Sequence, residues 1–596
     1  MDLSLPDSFH AVENKIKSSE EFTLTLKRHR NTLLPISRLP TEIFIIIFSL
    51  LHACGVLEPP KPLAPFSISH VCHRWREISL NLPHLWVHIN FTRQRPDCVA
   101  ELLTRSKTAP LHLEAVTLNW SRERFEAFKR QIEAHIHHTR HLCITASAKH
   151  LVQTFGRLVS SAPFLEQFSI INGDPQLVIP QNLFDGIAPK LIYLRLDKCA
   201  VRWKKQDSPL LSPLLKGLRD LKLVSYPAFA RIKPKIWLDA LSQMTQLERL
   251  SLSNGTPIHS ATPLPVEPGL TVVLSSLTQL DVSGSLRDCM AVLAHLVLPA
   301  LTRLCVNVTT MLETGHIPLL ISRVSRNAHG PQDTEVLQSL FIGSNNPQAG
   351  IAAWTMPRQD TDAVLSGPHR LPVGIHFPRV EFSIIREFLD EYDMLVYDEL
   401  LTALPLDSIT SLTVKGCALL TSEVWRGLAS RWRKLQRVQL FRSAVPPFRE
   451  MLADEPIGDP LLPSLEELVI IDVFFDAQQV LYLYNLLTDL LVHQISLKTL
   501  DLRMCNVTSG AVRTLSRVVP NVQGPVKKVS DGKTREGMEV LGEEVERDEL
   551  NIFGDPNLRP YWVALDDCDF SDEHEEDEDE EDEDERWSTG SEMDYW

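Results

Sequence analysis

The amino-acid sequence predicts an α/β chain in three parts: a small helical N-terminal module, a solenoid of strand-and-helix repeats, and a disordered acidic tail. Three observations lead to this prediction. Two apolar helical patterns near the N-terminus flank a proline-rich stretch, and a leucine pattern recurs through the middle of the chain. Residues 566–596 hold 18 Asp or Glu and one Arg, a composition that cannot build a core.

The length and charge of the chain set further limits. Its 596 residues, 44% of them hydrophobic, are enough for several domains or one long repeat array. The net charge is −16 and the acidic tail alone carries −17, so the remainder sums to +1. A near-neutral folded part has no global field that attracts nucleic acid or an anionic membrane, so we expect neither as a partner.

The cysteines and the first residues indicate an intracellular protein. Ten Cys are scattered without a C-x-x-C pair, and the N-terminus lacks the basic-then-apolar pattern of a secretion signal. The longest apolar stretch, 43–57, contains His52 and is shorter than the about 20 residues of a membrane span. We therefore expect reduced thiols and a cytoplasmic or nuclear location, without secretion.

The N-terminal elements are predicted from helical spacing of apolar residues. Residues 1–38 form a lead-in with one polar helix over 8–33. The module over 39–90 begins with LPTEIFIIIFSLL, where Pro40 and Glu42 suit a first helical turn. A second helix over 66–80 follows the proline-rich stretch, and LPHLWVHINF then becomes extended.

A repeat decides the architecture of 91–518. The template L-x-x-L-x-L fits segments starting at Leu191, Ile409 and Leu497. Each has a Cys three positions after the last apolar residue of the template, at Cys199, Cys417 and Cys505. Without the Cys it fits segments starting at Leu165, Leu218, Leu247, Leu277, Leu301, Leu337, Leu435 and Leu465. Apart from one longer gap, this spacing matches or slightly exceeds that of leucine-rich repeats. Stacked strands would line the inner face of a horseshoe-shaped solenoid.

Two segments depart from the repeat. The interval from Leu337 to Ile409 is too long for one unit, so we expect an insertion around 344–400. Its first part has the composition of a loop, whereas its second part, 382–404, has a helical pattern. Beyond the array, 519–565 is expected to be a linker and 566–596 a disordered tail.

The segment 39–90 resembles the F-box, in the style of many fungal F-box proteins, through LP-x-E-I, VC-x-x-W-x-x-I and LW. The residues that carry the resemblance are Leu39, Pro40, Glu42, Ile43, Phe44, Ile47, Phe48, Val71, Cys72, Trp75, Arg76, Ile78, Leu85 and Trp86. F-box proteins with leucine-rich repeats have this order of parts. The proline-rich LHACGVLEPPKPLAP between the two helices is longer than in the minimal module.

This resemblance implies a substrate-receptor subunit of an SCF (Skp–cullin–F-box) ubiquitin ligase, which is not itself an enzyme. The module would dock on the linker subunit and, through it, on cullin. The implied interface comprises Leu39, Pro40, Glu42, Ile43, Phe44, Ile47, Phe48, Leu51, Val71, Cys72, Trp75 and Trp86. An apolar content beyond the needs of so small a core agrees with an interface, although a helical cap of the repeats would also be apolar.

The protein target would bind the inner face of the repeats. The residue between the last two apolar positions of each repeat faces inward, because side chains alternate along a strand. The resulting row is Arg195, Lys222, Ser251, Asp281, Cys305, Phe341, Thr413, Gln439, Val469 and Asp501. We take Arg195, Lys222, Asp281, Phe341, Gln439, Val469 and Asp501 as the candidate substrate face. The row has no ladder of cations and aromatics, which favours a protein or peptide over nucleic acid.

Other functions remain open on the sequence alone. The chain could be a binding scaffold outside any ubiquitin ligase, or an acidic-tailed chaperone of basic proteins. The histidine cluster 135–141 lies at a predicted helix end, and we expect neither a metal nor a cofactor there or elsewhere. The repeat cysteines are expected to be buried structural thiols. The target and any modification that it needs are not specified by the sequence.

Overall fold

The computed structural model describes residues 8–57, 64–174, 177–203, 213–258, 271–310, 320–324, 336–345, 348–356, 379–385, 391–415, 420, 422–453, 461–474 and 477–524. The N-terminal part is helical, and a mixed α/β region with one large sheet follows it. The expected linker, after its first residues, and the acidic tail lie outside the described residues. So does Cys417.

The described helices are α1 (Phe9–Thr32), α2 (Thr41–Leu57), α3 (Ala64–Ser69), α4 (His73–Leu80), α5 (Pro96–Ser106), α6 (Arg122–His135), α7 (Ala148–Phe155), α8 (Pro234–Ser242), α9 (Leu286–Leu293), α10 (Glu391–Ala403), α11 (Ser422–Ala429), α12 (Val445–Ala453), α13 (Ala477–Val492) and α14 (Ser509–Leu515). Short 3-10 turns at Pro35–Arg38 and Pro83–Trp86 flank the helices α2 to α4. The helix predicted over 66–80 is two helices, because Cys72 is extended (φ −157°, ψ 171°) and interrupts it.

The described strands are β1 (His88–Asn90), β2 (Leu111–Val116), β3 (Thr139–Ala146), β4 (Gln167–Asn172), β5 (Leu177–Val178), β6 (Tyr193–Asp197), β7 (Cys199–Ala200), β8 (Asp220–Val224), β9 (Arg249–Ser253), β10 (Val272–Val273), β11 (Gln279–Ser285), β12 (Leu296–Val297), β13 (Arg303–Thr310), β14 (Ser339–Asn345), β15 (Gln348–Trp354), β16 (Val380–Ile385), β17 (Ser411–Lys415), β18 (Arg437–Phe441), β19 (Glu467–Phe474), β20 (Thr499–Asn506) and β21 (Asn521–Gln523). Seventeen of them join in one sheet, while β5 pairs with β7 and β10 with β12.

The large sheet is parallel except around β15. The pairings place its strands in the order β1, β2, β3, β4, β6, β8, β9, β11, β13, β16, β15, β14, β17, β18, β19, β20, β21. β15 is antiparallel to both of its neighbours. The chain passes from β13 to β14 across two strand positions, which β15 and β16 then fill.

One backbone contact recurs where successive strands begin. The carbonyl oxygen of Glu166 accepts the N–H groups of Ile192 and Tyr193 at 3.0 and 3.1 Å. The same double contact is made by the carbonyls of Ile192, Arg219, Glu248, Thr278, Gln338, Thr410, Gln436 and Glu466. Each of these residues precedes a strand, so the two N–H groups at the start of the next strand are satisfied in the same way each time.

The leucines of the repeat template form the core beneath the sheet. Leu194, Leu221, Leu250, Leu280 and Leu304 are opposite one another on successive strands, and all are buried. Residues between them alternate to the other face, as the period of a strand requires. A single contiguous cluster of buried side chains runs from Phe44 in the N-terminal helices to Val519 after α14.

The structure corrects the prediction for the insertion. Residues 348–354, expected in a loop, form β15, and 382–385, expected in a helix, belong to β16; helix α10 begins only at Glu391. Ile351, Ala353 and Phe382 are buried, so these short apolar runs pack as strands. β21 lies within the segment predicted as linker, where Val522 is opposite Leu500.

Candidate partner-binding surfaces

An aromatic core fills the N-terminal helical module. Phe44 and Phe48 are fully buried, and their rings lie 5.6 and 5.1 Å from the ring of Trp75. Trp86 is 1% exposed, and its Nε1 donates to the carbonyl of Ser79 at 2.8 Å. Phe44, Phe48 and Trp86 are thus core residues of the module and support its surface from beneath, and their contact with a partner stays a prediction.

A face of α2 is apolar and exposed. Ile46 and Leu50 are 54% and 60% exposed, and Ile43 and Leu51 also reach solvent. Val71, at the start of the turn before α4, is 58% exposed. Of the other predicted interface residues, Pro40 and Glu42 are exposed, whereas Leu39, Ile47, Cys72 and Trp75 are half-buried. The helical spacing could have identified Ile46 and Leu50, which the F-box motif residues do not include.

The segment before α2 is fastened to the module by Arg74. Its Nη2 donates to the carbonyl of Leu39 at 2.8 Å, and its Nη1 donates to the carbonyl of Ser37. The guanidinium also lies 4.9 Å from the ring centre of Phe44. One cation thus holds the 3-10 turn against α4 beside the exposed face of α2.

The module is joined to the sheet through Trp86 and β1. The guanidinium of Arg105, on α5, lies 4.8 Å from the Trp86 ring. β1 follows two residues later and pairs with β2, so that His88 is opposite His112. The buried residues of module and sheet belong to the same core cluster, which fixes one relative to the other.

The candidate substrate face forms one row across the sheet. Arg195, Lys222, Ser251, Asp281 and Cys305 are opposite one another on successive strands. Glu381 and Ala352 continue the row through the insertion and lead to Phe341, Thr413, Gln439, Val469 and Asp501. The sequence could not place Glu381 there, because the residues that follow it in β16, from Phe382 on, were expected to be helical.

Only part of this row is accessible. Arg195, Lys222, Asp281 and Phe341 are half-buried, whereas Gln439, Val469 and Asp501 are 3–4% exposed. The last three are buried in the chain alone, and their contact with a target stays a prediction. Val469 instead packs with Phe441 and Ile471 in a second, small apolar cluster on that face.

Ion pairs neutralise several charges of the accessible part. Arg249 Nε is 2.7 Å from Asp220 Oδ2, and Arg195 Nη2 is 3.7 Å from Asp197 Oδ2. Farther along, Arg303 Nη2 is 3.7 Å from carboxylate oxygens of both Asp281 and Glu381.

Three neighbouring histidine rings lie on the same face of the sheet, on its first three strands. The rings of His88 and His112 have centroids 4.2 Å apart, and those of His112 and His141 are 3.9 Å apart. Burial lowers the pKa of His141, as does Arg140 to a lesser extent, against the opposing effect of Glu166. The sequence did not reveal this ladder, because the bulge between Leu111 and His112 shifts the register.

Burial also shifts the pKa values of His138 and Cys199. Burial, with smaller contributions from His137 and His135, lowers the pKa of His138 to about 4, and burial raises the pKa of Cys199 to about 12. Among the described residues, no group of three or more His, Cys, Asp or Glu could hold a metal ion. None of the described helices is both long and apolar enough to cross a membrane.

Comparison with known proteins identifies the N-terminal module. Residues 36–92 match the family model described as F-box-like, which confirms the resemblance of that segment. The crystal structure of the Rad7 and Elc1 complex in yeast is similar over 78% of this chain and 94% of that chain, at 13% identity and a TM-score of 0.23. That TM-score does not establish a shared fold, and none of the curated proteins matches the chain. Residues 36–92 form an F-box-like domain.

Proposed function

We propose that this protein is a non-catalytic substrate-receptor subunit of an SCF-type ubiquitin ligase. Its F-box-like domain would dock on the linker subunit and thereby on cullin, and the face of its sheet would bind a protein target. The observation that carries the proposal is the exposed apolar face of α2 above a core that is already filled.

The docking surface combines α2 with the segment that precedes it. Ile43, Ile46, Leu50 and Leu51 on α2 are exposed, as are Val71 before α4 and Leu33, Leu34 and Ile36 in the segment before α2. Large apolar side chains that remain exposed next to a completed core mark an interaction site, because nothing inside the domain requires them there. Burying several aliphatic side chains on a partner contributes about 1.5–3 kcal/mol each before the entropy lost on association.

The sheet region is proposed to be a leucine-rich-repeat solenoid. The recurring carbonyl contact before each strand and the leucines in register support this interpretation, since one structural unit is stacked many times. Such an array cannot transfer ubiquitin by itself. It would hold a target lysine close to the ubiquitin thioester and so raise the effective concentration of the reacting groups.

The target would contact the accessible half of the strand face. Arg195 and Lys222, with Asp281 and Phe341 farther along, offer both charges and one aromatic ring. A mixed surface of this kind suits a protein segment, in which polar groups set the register. Charge reversal at Arg195 and Lys222 should weaken target binding and leave linker binding unchanged.

A pull-down with the SCF linker subunit tests the docking surface. Ile46→Asp with Leu50→Asp should abolish binding, because two charges would be buried in an apolar interface. Val152→Asp with Val492→Asp is the matched control, since these valines are 59% and 53% exposed on α7 and α13. Absence of binding by the wild-type protein would reject the proposal. Linker binding without recovery of cullin would favour a scaffold outside a ligase.

A further inference from the structure

Four exposed cations without acidic partners lie just before the F-box-like domain. We call them the basic lead-in: Lys27, Arg28 and Arg30 at the end of α1, and Arg38 at the end of the 3-10 turn. The sequence has no Asp or Glu between Glu21 and Glu42. Within the described part of the chain, none of the four forms an ion pair.

The helix dipole alone does not explain the exposed residues of the basic lead-in. Cations in the last turn of a helix are stabilised by its dipole, which accounts for His29 and Arg30. It accounts neither for Arg38 nor for the exposed Leu33, Leu34 and Ile36 between these cations. α1 itself buries none of its side chains, and a helix without tertiary contacts is only marginally stable in water. The lead-in therefore has the features of a surface that a partner covers.

The sequence supplies a partner of opposite charge. We propose that the acidic segment Asp566–Glu585 of the same chain binds the basic lead-in. That segment contains sixteen Asp or Glu among its twenty residues, against a remainder of the chain that is near neutral. The four cations of the basic lead-in lie within twelve residues. Arg74 holds the end of the basic lead-in against the domain through the carbonyls of Ser37 and Leu39. Charge complementarity over so short a segment favours the lead-in as the docking site.

Among the described residues, other exposed cations are less concentrated. Arg433 and Lys434 precede β18, and Lys233 and Lys235 lie at the start of α8; each site offers two cations in place of four. Arg442 follows β18 and is thus at the opposite end of that strand from Arg433 and Lys434. These sites serve as internal controls.

The chain is long enough for the contact. Residues 525–565 connect the last described residue to the acidic segment, and 41 residues extend to about 140 Å at most. The seventeen strands of the sheet span sixteen intervals of about 4.8 Å, or roughly 77 Å along the sheet from β21 to β1. Because the two groups share one chain, the contact is intramolecular and has the advantage of a raised effective concentration.

The contact would influence docking of the linker subunit. The basic lead-in ends at Arg38 and α2 begins at Thr41, so an acidic segment bound there would lie at the N-terminal end of α2. This consequence rests on the proposed function: the acidic segment would compete with the linker subunit for the same side of the domain. The contact between the acidic segment and the basic lead-in does not depend on the proposed function.

Zero-length crosslinking of the full chain tests the contact. A carbodiimide couples carboxylates to amines, and Lys27 is the amine of the lead-in. At 50 mM NaCl we expect crosslinks from Asp566–Glu585 to Lys27 to exceed those to Lys233, Lys235 and Lys434 by about fivefold. At 500 mM NaCl the excess should disappear, because screening shortens the Debye length from above 10 Å to below 8 Å. Even labelling of all four lysines would overturn the proposal, as would crosslinks between differently isotope-labelled copies.

A charge-reversal variant keeps the same readout. The triple variant Arg28→Glu, Arg30→Glu, Arg38→Glu retains Lys27. Its yield of crosslinks between Lys27 and the acidic segment should fall to the yield at Lys434. The matched control is Lys233→Glu, Lys235→Glu and Arg433→Glu, which should leave the Lys27 crosslinks unchanged. Equal losses in both variants would show that net charge alone matters and would overturn the proposal. Enrichment at Lys27 in a protein that does not bind the linker subunit would reject the proposed function and leave the contact intact.

Discussion

Trp86 is expected to hold the F-box-like domain against the sheet, and Trp86→Phe tests this. The indole is 1% exposed, donates to the buried carbonyl of Ser79 at 2.8 Å, and stacks beneath Arg105 at 4.8 Å. A phenyl ring removes this donor, but the carbonyl keeps the N–H of Leu82 at 3.2 Å, so the lost hydrogen bond costs about 1 kcal/mol. It also leaves unfilled the volume of the second ring, at about 1 kcal/mol or more. We therefore expect a loss of about 2 kcal/mol.

Trp120→Phe is the matched control. Trp120 is half-buried and carries Arg124 at 4.5 Å from its ring, so both substitutions alter a cation–π contact of similar geometry. Their difference isolates the buried hydrogen bond and the packing around Trp86. We expect Trp120→Phe to cost less than about 1 kcal/mol, since half-exposed positions tolerate such changes.

Hydrogen exchange of the α4 amides, together with urea unfolding followed by circular dichroism, measures both variants. In Trp86→Phe the α4 amides should exchange roughly thirtyfold faster, as a loss of about 2 kcal/mol requires. Equal effects of the two substitutions would refute the claim that Trp86 joins the domain to the sheet.

Three further outcomes are expected. Folded His138 has a pKa of about 4 and an unfolded His about 6.5, so the unfolded state binds more protons between these values. The Tm should fall as the pH is lowered from 6.5 to 4, and His138→Gln should reduce the slope. Burial raises the pKa of the Cys199 and Cys289 thiols to about 12, so a disulfide reagent should modify both only after unfolding. Arg74→Ala removes two donated bonds to backbone carbonyls and should make the Ser37–Leu39 turn more sensitive to protease, while Arg76→Ala, at an exposed site, should not.

The sequence predicts the sheet wherever one leucine pattern repeats with little interruption. In the units of Leu194, Leu221 and Leu250, alternation and spacing both identify the strand, and the row of Arg195 and Lys222 follows from side-chain geometry. The pattern fails at β15 and β16, whose apolar runs are short and lie outside the template. A run such as that of Ile351 and Ala353 becomes a strand only because β14 and β16 are beside it.

The motif of the F-box-like domain does not by itself show which of its residues reach solvent. A motif identifies residues that are characteristic of a domain, and most of these are characteristic because they build its core. Phe44, Phe48 and Trp86 belong to that group, whereas Ile46 and Leu50 contact solvent and do not belong to the motif. Burial on one side of α2 decides which residues remain for a partner, and burial depends on how α4 packs against it.

Arg195 and Lys222 lie toward one end of the sheet, whereas Asp281 and Phe341 lie farther along it. The position of these two cations has a mechanical consequence. Arg195 and Lys222 lie on the fifth and sixth strands from β1, at about 20 Å from it by strand spacing, whereas Gln439 and Asp501 lie much farther and are buried. β1 follows Trp86 almost directly, so a target on the accessible face would be held near the F-box-like domain through one continuous core. A short connection through packed side chains restricts the motion of the F-box-like domain relative to the sheet more than a flexible linker would. The target would therefore occupy a defined position and not a broad range of positions. Lengthening the connection by two glycines between Asn81 and Leu82 should therefore reduce target ubiquitination more than it reduces target binding.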